Sequence, residues 1–452
     1  MSHSLRIFSC ALLLAAPSFA QDASAILVPN GFGIADITPD GKTVVGFGTG
    51  GAYYWRWQED PAPTFIGGDN AIAISDDGSV IAGNMTDPQT GFMEAAIWTA
   101  ADGWETLGGV GPGCDFFVST AFDLTADGST MTGLGWNGCS AVGFMWTEAG
   151  GMQALESLAN GNCRSSAIAG DGSIMGGFAQ GSFDRTPATW SPDLSGEVFN
   201  VNAVGEINAI NADGSTLLGQ WNGSAFYTVD GDLFPIGNLN GPGWTGIAEG
   251  AAANLSRIVG FDIQGTGREA WTWTPGGGIE SLLTTLTNLG VPSLPPTLQA
   301  GVGISADGTV LIGNNFFECW IVTLPPITGW NQYGVAAAAV NTMDLDGGGD
   351  ATLGGVFTAT TSDVVGSATA TFIALDSGNF PLFGGQFLLD PLKLVNPVLI
   401  QAAAGGTTTN VIPLPSDVSL AGVSVFFQSI AEDGGQPFGF ALSNGLELNL
   451  GL

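Results

Sequence analysis

The sequence predicts an all-β protein: a seven-bladed β-propeller closed by an N-terminal strand, followed by a small β-sandwich. Three observations predict it. One phrase, a small-residue strand, Asp-Gly, four residues and Gly, recurs along most of the chain. An aromatic residue follows each copy at a similar distance. After Pro325-Pro326 the phrase gives way to alternating apolar runs.

The phrase reads Asp40-Gly41…Gly46, Asp77-Gly78…Gly83, Asp127-Gly128…Gly133, Asp171-Gly172…Gly177, Asp213-Gly214…Gly219 and Asp307-Gly308…Gly313. A worn copy, Asn254-Leu255…Gly260, fills the one gap. Successive spacings of 37, 50, 44, 42, 41 and 53 residues match the length of a four-stranded propeller blade.

Each unit divides into four short strands. The first ends at the Asp-Gly turn, where glycine takes the positive φ that other residues resist. The second carries the later Gly. The third carries the aromatic: Trp55, Trp98, Trp146, Trp190, Tyr227, Trp273 and Trp320. The fourth follows another turn, as in Gly103-Trp-Glu-Thr-Leu107. The last unit reaches Pro325-Pro326 without a fourth strand, so residues 25–30 are expected to supply it. A ring closed this way leaves no free inner edge.

Units such as Ala141-Val-Gly-Phe-Met-Trp-Thr147…Gly150-Gly-Met-Gln-Ala-Leu155, followed by strand, Asp-Gly, strand, resemble the extracellular HAF-repeat proteins over residues 26–325. The His of that family's triplet is absent from every unit. The resemblance implies a propeller-like fold and an extracellular setting, and no catalytic residue.

The tail, 326–452, contains runs at 367–375, 385–389, 398–401, 423–428 and 446–450 that read as seven or eight strands of a sandwich. Its segment 412–448 resembles a C-terminal module common on uncharacterised secreted bacterial proteins, which implies an accessory or attachment role.

At the other end, Arg6, the apolar run 7–16 and small residues Ser18 and Ala20 describe a signal peptide over 1–20. The chain is therefore expected to be secreted, extracellular or at the cell surface, without a membrane span. Seven Lys and Arg (eight less Arg6) then remain against 41 Asp and Glu. So acidic a surface repels nucleic acid, which excludes it as a partner. The lone histidine, His3, lies in the signal segment. Without it there is no Ser-His-Asp or Cys-His catalysis and no His-containing zinc site.

The repeated Asp and Trp residues read as turn and packing residues, because regular repetition is what a scaffold demands. A binding site is expected among residues that break the repeat, in the connections from second to third strand and from one unit to the next (the loop face). The residues there include Asp115-Phe116-Phe117, Trp136, Asp184, Arg185, Trp221, Trp244, Arg268 and Glu269, of which all but the two phenylalanines are the binding candidates. No cofactor is expected apart from calcium. Asp344, Asp346 and Asp350, in what reads as a Gly-rich loop, offer oxygen ligands without the EF-hand pattern. Four cysteines follow the signal. Cys114 and Cys139 fall on the loop face of one unit and are the favoured disulfide, with Cys163 the other candidate for Cys139 and Cys319 a buried thiol.

The expected function is non-catalytic binding of a glycan or extracellular protein by a monomer, through the loop face. The alternative is a carbohydrate-active enzyme, which would need two carboxylates about 5–9.5 Å apart in a cleft, one with a raised pKa.

Overall fold

The computed structural model describes residues 23–450 except 159–160, 181–184, 200–202, 230, 254, 275–276, 328, 334–342, 350, 352–354, 376, 383–384, 416–422 and 437. Residues 1–20, read above as a signal peptide, and Asp184, Asn254 and Asp350 thus lie outside the described residues. The chain is all-β apart from one short helix among the described residues. It divides into two compact units, Asp22–Pro325 and Pro326–Leu452.

In the first unit the described strands form seven four-stranded antiparallel sheets. Sheets I to VI are continuous in sequence, spanning 31–67, 70–106, 119–154, 163–198, 205–237 and 245–281. Sheet VII joins Ala300–Ile304, Val310–Asn314 and Cys319–Thr323 to the N-terminal strand Ser24–Leu27, with Ile26 opposite Ile321. A seven-residue helix, Leu282–Asn288, occupies the segment before sheet VII and buries Leu282 and Leu286.

Each part of the repeated phrase has a backbone cause. In all six intact copies the Asp carboxylate accepts the amide two residues on, at 2.9–3.0 Å. The following Gly sits at φ 72–75°. The worn copy keeps that conformation with Leu255 at φ 58°, a strained position for a branched side chain. No ligand is needed to account for the turn carboxylates.

The second Gly answers a β-bulge. Every first strand carries one extra residue at the same place: Ala35, Ile72, Phe122, Ser166, Asn208, Glu249 and Val302. The bulge turns the carbonyl two residues earlier onto the second strand. A Cβ on Gly46, Gly83, Gly133, Gly177, Gly219, Gly260 or Gly313 would collide with that oxygen. Only glycine fits there.

Adjacent sheets are tied at their first strands. The residue before the turn donates its amide to its counterpart's carbonyl in the next sheet: Asp76 to Ala126, Ala126 to Gly170, Ala253 to Ala306, and Ala306 to Pro39. Between sheets IV and V the donor is Asp171, to Ala212. Pro39 has no N–H to give to sheet II; there the Asp36 carboxylate accepts Ile74 N at 2.9 Å. Asp123 accepts Ile168 N at 2.8 Å in the same way. Apolar cores fill the spaces between sheets. Ile34, Val44 and Tyr53 of sheet I, for example, pack with Val310, Ile312 and Ile321 of sheet VII. The third-strand aromatics belong to these cores: Trp55, Trp190 and Trp320 are buried, and Trp98, Trp146, Tyr227 and Trp273 half-buried.

The second unit holds ten described strands, more than the seven or eight expected. A five-stranded sheet runs Gly329–Tyr333, Phe440–Asn449, Ser424–Glu432, Ala368–Ala374, Leu394–Ala402. A three-stranded sheet runs Asp344–Gly349, Val356–Ser362, Thr408–Pro413, and Ser377–Leu382 pairs with Gly385–Leu389. Leu345, Phe357 and Ala359 of the second sheet pack on Phe427, Leu446 and Leu448 of the first. The segment read as a Gly-rich loop is therefore a strand. Its partner Val356–Ser362 fixes the register, Asp346 opposite Thr360, and pairing overrides the low strand preference of glycine.

Candidate functional site

The first strands of sheets IV, V and VI bring charged and polar groups together, Arg164 and Glu206 at the loop-face ends and the rest about mid-strand. Arg164 and Ser166 stand on Cys163–Ile168, Glu206 and Asn208 on Gly205–Ile210, and Glu249 on Thr245–Ala251. Ser166, Asn208 and Glu249 are the bulge residues of their strands.

Glu206 is the hub, 5% exposed. Its Oε1 accepts Arg164 Nη2, Ser166 Oγ and, at 3.2 Å, Arg164 Nε. Its Oε2 accepts Arg185 Nη1 at 3.1 Å. Both guanidiniums also lie over aromatic faces. Arg164 is 4.5 Å from the Phe122 centroid, and Arg185 is 3.9 Å from that of Phe178. Such contacts orient a planar cation while leaving an edge free to donate.

Glu249 is half-buried. Burial, then the Glu206 carboxylate, push its pKa up to about 8, against the pull of Arg164 and Arg268. At neutral pH it is thus a carboxylic acid and an O–H donor. Asn208 Nδ2 donates to it at 3.3 Å, while Asn208 Oδ1 is buried without a partner among the described residues.

Two residues singled out from the sequence belong here. Arg185 is bonded to Glu206, and Arg268, exposed at the start of Gly267–Thr274, is near enough to act on Glu249. The other described candidates sit apart from the cluster's hydrogen bonds. Glu269 accepts Asn240 Nδ2 at 3.2 Å. Trp221 packs against Phe226 and Phe199, with centroids 6.1 and 6.2 Å away. Trp244 is half-buried against Gly267. Asp115 is exposed in the turn 114–117, at φ 53°. The same insertion reaches Trp136, whose carbonyl accepts Gly113 N at 3.2 Å. Cys114 and Cys139 are joined in a disulfide there, and Cys163 and Cys319 are buried free thiols.

Sequence reasoning missed Arg164, Ser166, Glu206, Asn208 and Glu249 because it looked for departures from the repeat in loops. The signal was inside the strands. Seven and five residues before each turn Asp, or Asn254 in the worn copy, the other units carry Gly33/Ala35, Asn70/Ile72, Thr120/Phe122 and Ala300/Val302. Only the three consecutive units of sheets IV to VI place charge there.

The loop face also carries exposed phenylalanines, whereas Trp136, Trp221 and Trp244 are half-buried. Phe116 is 69% exposed, Phe316 66% and Phe317 81%, with Phe32, Phe47, Phe117 and Phe199 also exposed. The remaining exposed large apolar residues of this unit are Val204 and Leu289, in connections between sheets, and Ile26, Leu27, Leu233 and Phe234 on fourth strands. None lies in the Asp-Gly turns or the turns between third and fourth strands.

Asp344 and Asp346 lie exposed on their strand, and Asp346 accepts the amide of Gly347 at 2.8 Å. Among the described residues no three His, Cys, Asp or Glu side chains are grouped to hold a metal ion. No helix among them is long and apolar enough to cross a membrane.

No family model matches the sequence, and no curated protein does. Among solved structures the chain is similar to hydrazine synthase of Kuenenia stuttgartiensis, with 12% identity and a TM-score of 0.42 over 66% of this chain and 96% of that one. It is similar to TolB from Acinetobacter baumannii, with 11% identity and a TM-score of 0.34 over 55% and 64%. It is also similar to oligogalacturonate lyase from Vibrio parahaemolyticus, with 11% identity and a TM-score of 0.33 over 64% and 72%.

Proposed function

We propose that this is an exported protein whose residues 24–325 form a closed seven-bladed propeller that binds an extracellular glycan or protein through its loop face, without catalysis. Residues 326–452 serve as the attachment or accessory module. The ring reading is supported by sheet VII, built from both the N-terminal strand and residues 300–323, by the Ala306-to-Pro39 bond and by the core shared between sheets VII and I. Binding through one face is carried by a single observation: the exposed phenylalanines of the connections all belong to that face. Exposed apolar groups concentrated on one side of a soluble domain mark an interaction surface, and loop tips on a rigid scaffold are where binding residues collect.

One observation favours the enzyme alternative: Glu206 and Glu249 interact, and the pKa of Glu249 is raised. Binding is still preferred. Oε1 of Glu206 accepts from Arg164 and Ser166 and Oε2 from Arg185, and the side chain is buried, so this carboxylate holds the protein's own cations and is not presented to a substrate or water. A glycan array run on the full chain, with a hydrolysis screen of every glycan that binds, tests the proposal. Retention of an intact ligand is expected. Turnover of a bound glycan, abolished by Glu249→Gln, would replace this reading with the enzymatic one.

A further inference from the structure

We infer that the cluster on the first strands of sheets IV to VI is a receptor for a carboxylate carried by a hydroxylated ligand, the chemistry of a uronic acid. The inference deepens the loop-face reading and rests on it.

Charge is the first argument. Beyond residue 20 the chain has seven Lys and Arg against 41 acids, yet Arg164, Arg185 and Arg268 all act on this one place. Glu206 balances one of them. Glu249, held as the neutral acid, balances none. The site is a positive island in a strongly negative protein, and an anion that finds the rest of the surface repulsive is drawn to it.

Hydrogen-bonding capacity is the second. Glu206 and Ser166 hold Arg164 through Nε and Nη2, and Nη1 has no partner among the described residues. Arg185 gives Nη1 to Glu206 while its side chain stays 47% exposed. Arg268 makes no ion pair among the described residues. Planar guanidinium edges fixed in this way match a planar carboxylate.

Glu249 selects among anions. Its Oε1 accepts Asn208 Nδ2, and its Oε2 has no hydrogen-bond partner among the described residues. A sugar hydroxyl can pair with that carboxyl oxygen, whereas a bare carboxylate or sulfate brings no hydroxyl. A ligand with a carboxylate and a neighbouring O–H satisfies the arginines and Glu249 together.

The test is calorimetric titration of the full chain at pH 6 with D-glucuronate, its methyl ester, glucose and acetate. Glucuronate is expected to bind at one site, at least about tenfold tighter than the ester or glucose, since a charge-assisted bidentate pair is lost in both. Acetate, which lacks the hydroxyl, is expected to be weaker than glucuronate. Arg185→Ala, at a half-exposed position, should fold and weaken glucuronate by a similar factor. Equal binding of glucuronate and glucose, or an Arg185→Ala protein that binds as the parent does, would overturn the inference. So would acetate binding as tightly as glucuronate. A Phe316→Ser/Phe317→Ser double variant on the glycan array separates the two levels. If it loses array binding while glucuronate fails to discriminate, the carboxylate inference alone is wrong. If it retains full array binding, the loop-face reading beneath it is wrong.

Discussion

Replacing Glu206 with Gln removes one charge from the centre of the cluster and leaves its shape. The amide NH₂ must then face a guanidinium, either Arg164 at Oε1 or Arg185 at Oε2. One or two charge-assisted hydrogen bonds are lost, each about 1.5–3 kcal/mol. Breaking a fully buried ion pair costs about 3–5 kcal/mol. Here the cost sits at the low end of that range, because Arg185 is 47% exposed and can turn to water while Arg164, at 24%, cannot. About 3 kcal/mol is the resulting figure. A unit of roughly 300 residues unfolds with an entropy near 0.6 kcal/mol/K, so Tm should fall by about 5 °C. Scanning calorimetry of the full chain measures it. Because the group is buried, the drop should persist in about 0.5 M salt, where surface pairs are screened. A Tm within about 1 °C of the parent would refute the view of Glu206 as the buried hub.

Other perturbations read other parts of the structure. Gly133→Ala sets a Cβ against the carbonyl of Thr120 and should lower stability by about 1–3 kcal/mol through overpacking. Gly434→Ala, with nothing within 4 Å, should not; equal effects in denaturant titrations would contradict the bulge account. Burial raises Asp36 to about 6, Asp123 to about 7 and Glu249 to about 8. Folded pKa values above unfolded ones mean that the folded state holds extra protons, so stability falls as pH rises from about 4 to about 8. Hydrogen bonds from Ser79 and Ser129 hold Asp77 and Asp127 below the usual carboxylate range, so their contribution is lost as pH falls below about 4. Tm should therefore be higher at pH 5 than at pH 8, and a rise between them would count against the raised values. Glu249 faces Glu206, Arg164, Arg268 and Asn208. Loss of its proton should weaken carboxylate binding between pH 7 and 9, a dependence absent in Glu249→Gln.

The four-strand unit was legible because every term of the repeated phrase answers a backbone requirement. Asp accepts an amide in the turn, the next Gly takes positive φ, and the second Gly lies under the bulge carbonyl. Backbone requirements recur with each unit, so they surface as periodicity. The helix Leu282–Asn288 did not, since seven residues hold barely two turns. The strand Asp344–Gly349 was hidden because its conformation comes from its partner and not from its own glycines. At the site, Arg185 and Arg268 stood out as rare charges beside turns. Glu206 and Glu249 resemble ordinary alternating polar residues until the units are aligned on their Asp-Gly turns, and only the bulge register shows that three neighbouring strands present them together.

The most direct test of binding through the loop face compares two variants of the full chain against its glycan-array or protein ligand. One is Phe316→Ser/Phe317→Ser on the loop face; the other is Lys42→Ser, whose side chain pairs, among the described residues, with the exposed Asp40 alone at the opposite turns. Binding is predicted to be lost in the first and unchanged in the second. Binding that survives the loss of the phenylalanines but not the change at Lys42 would place the binding surface on the other face and contradict the account.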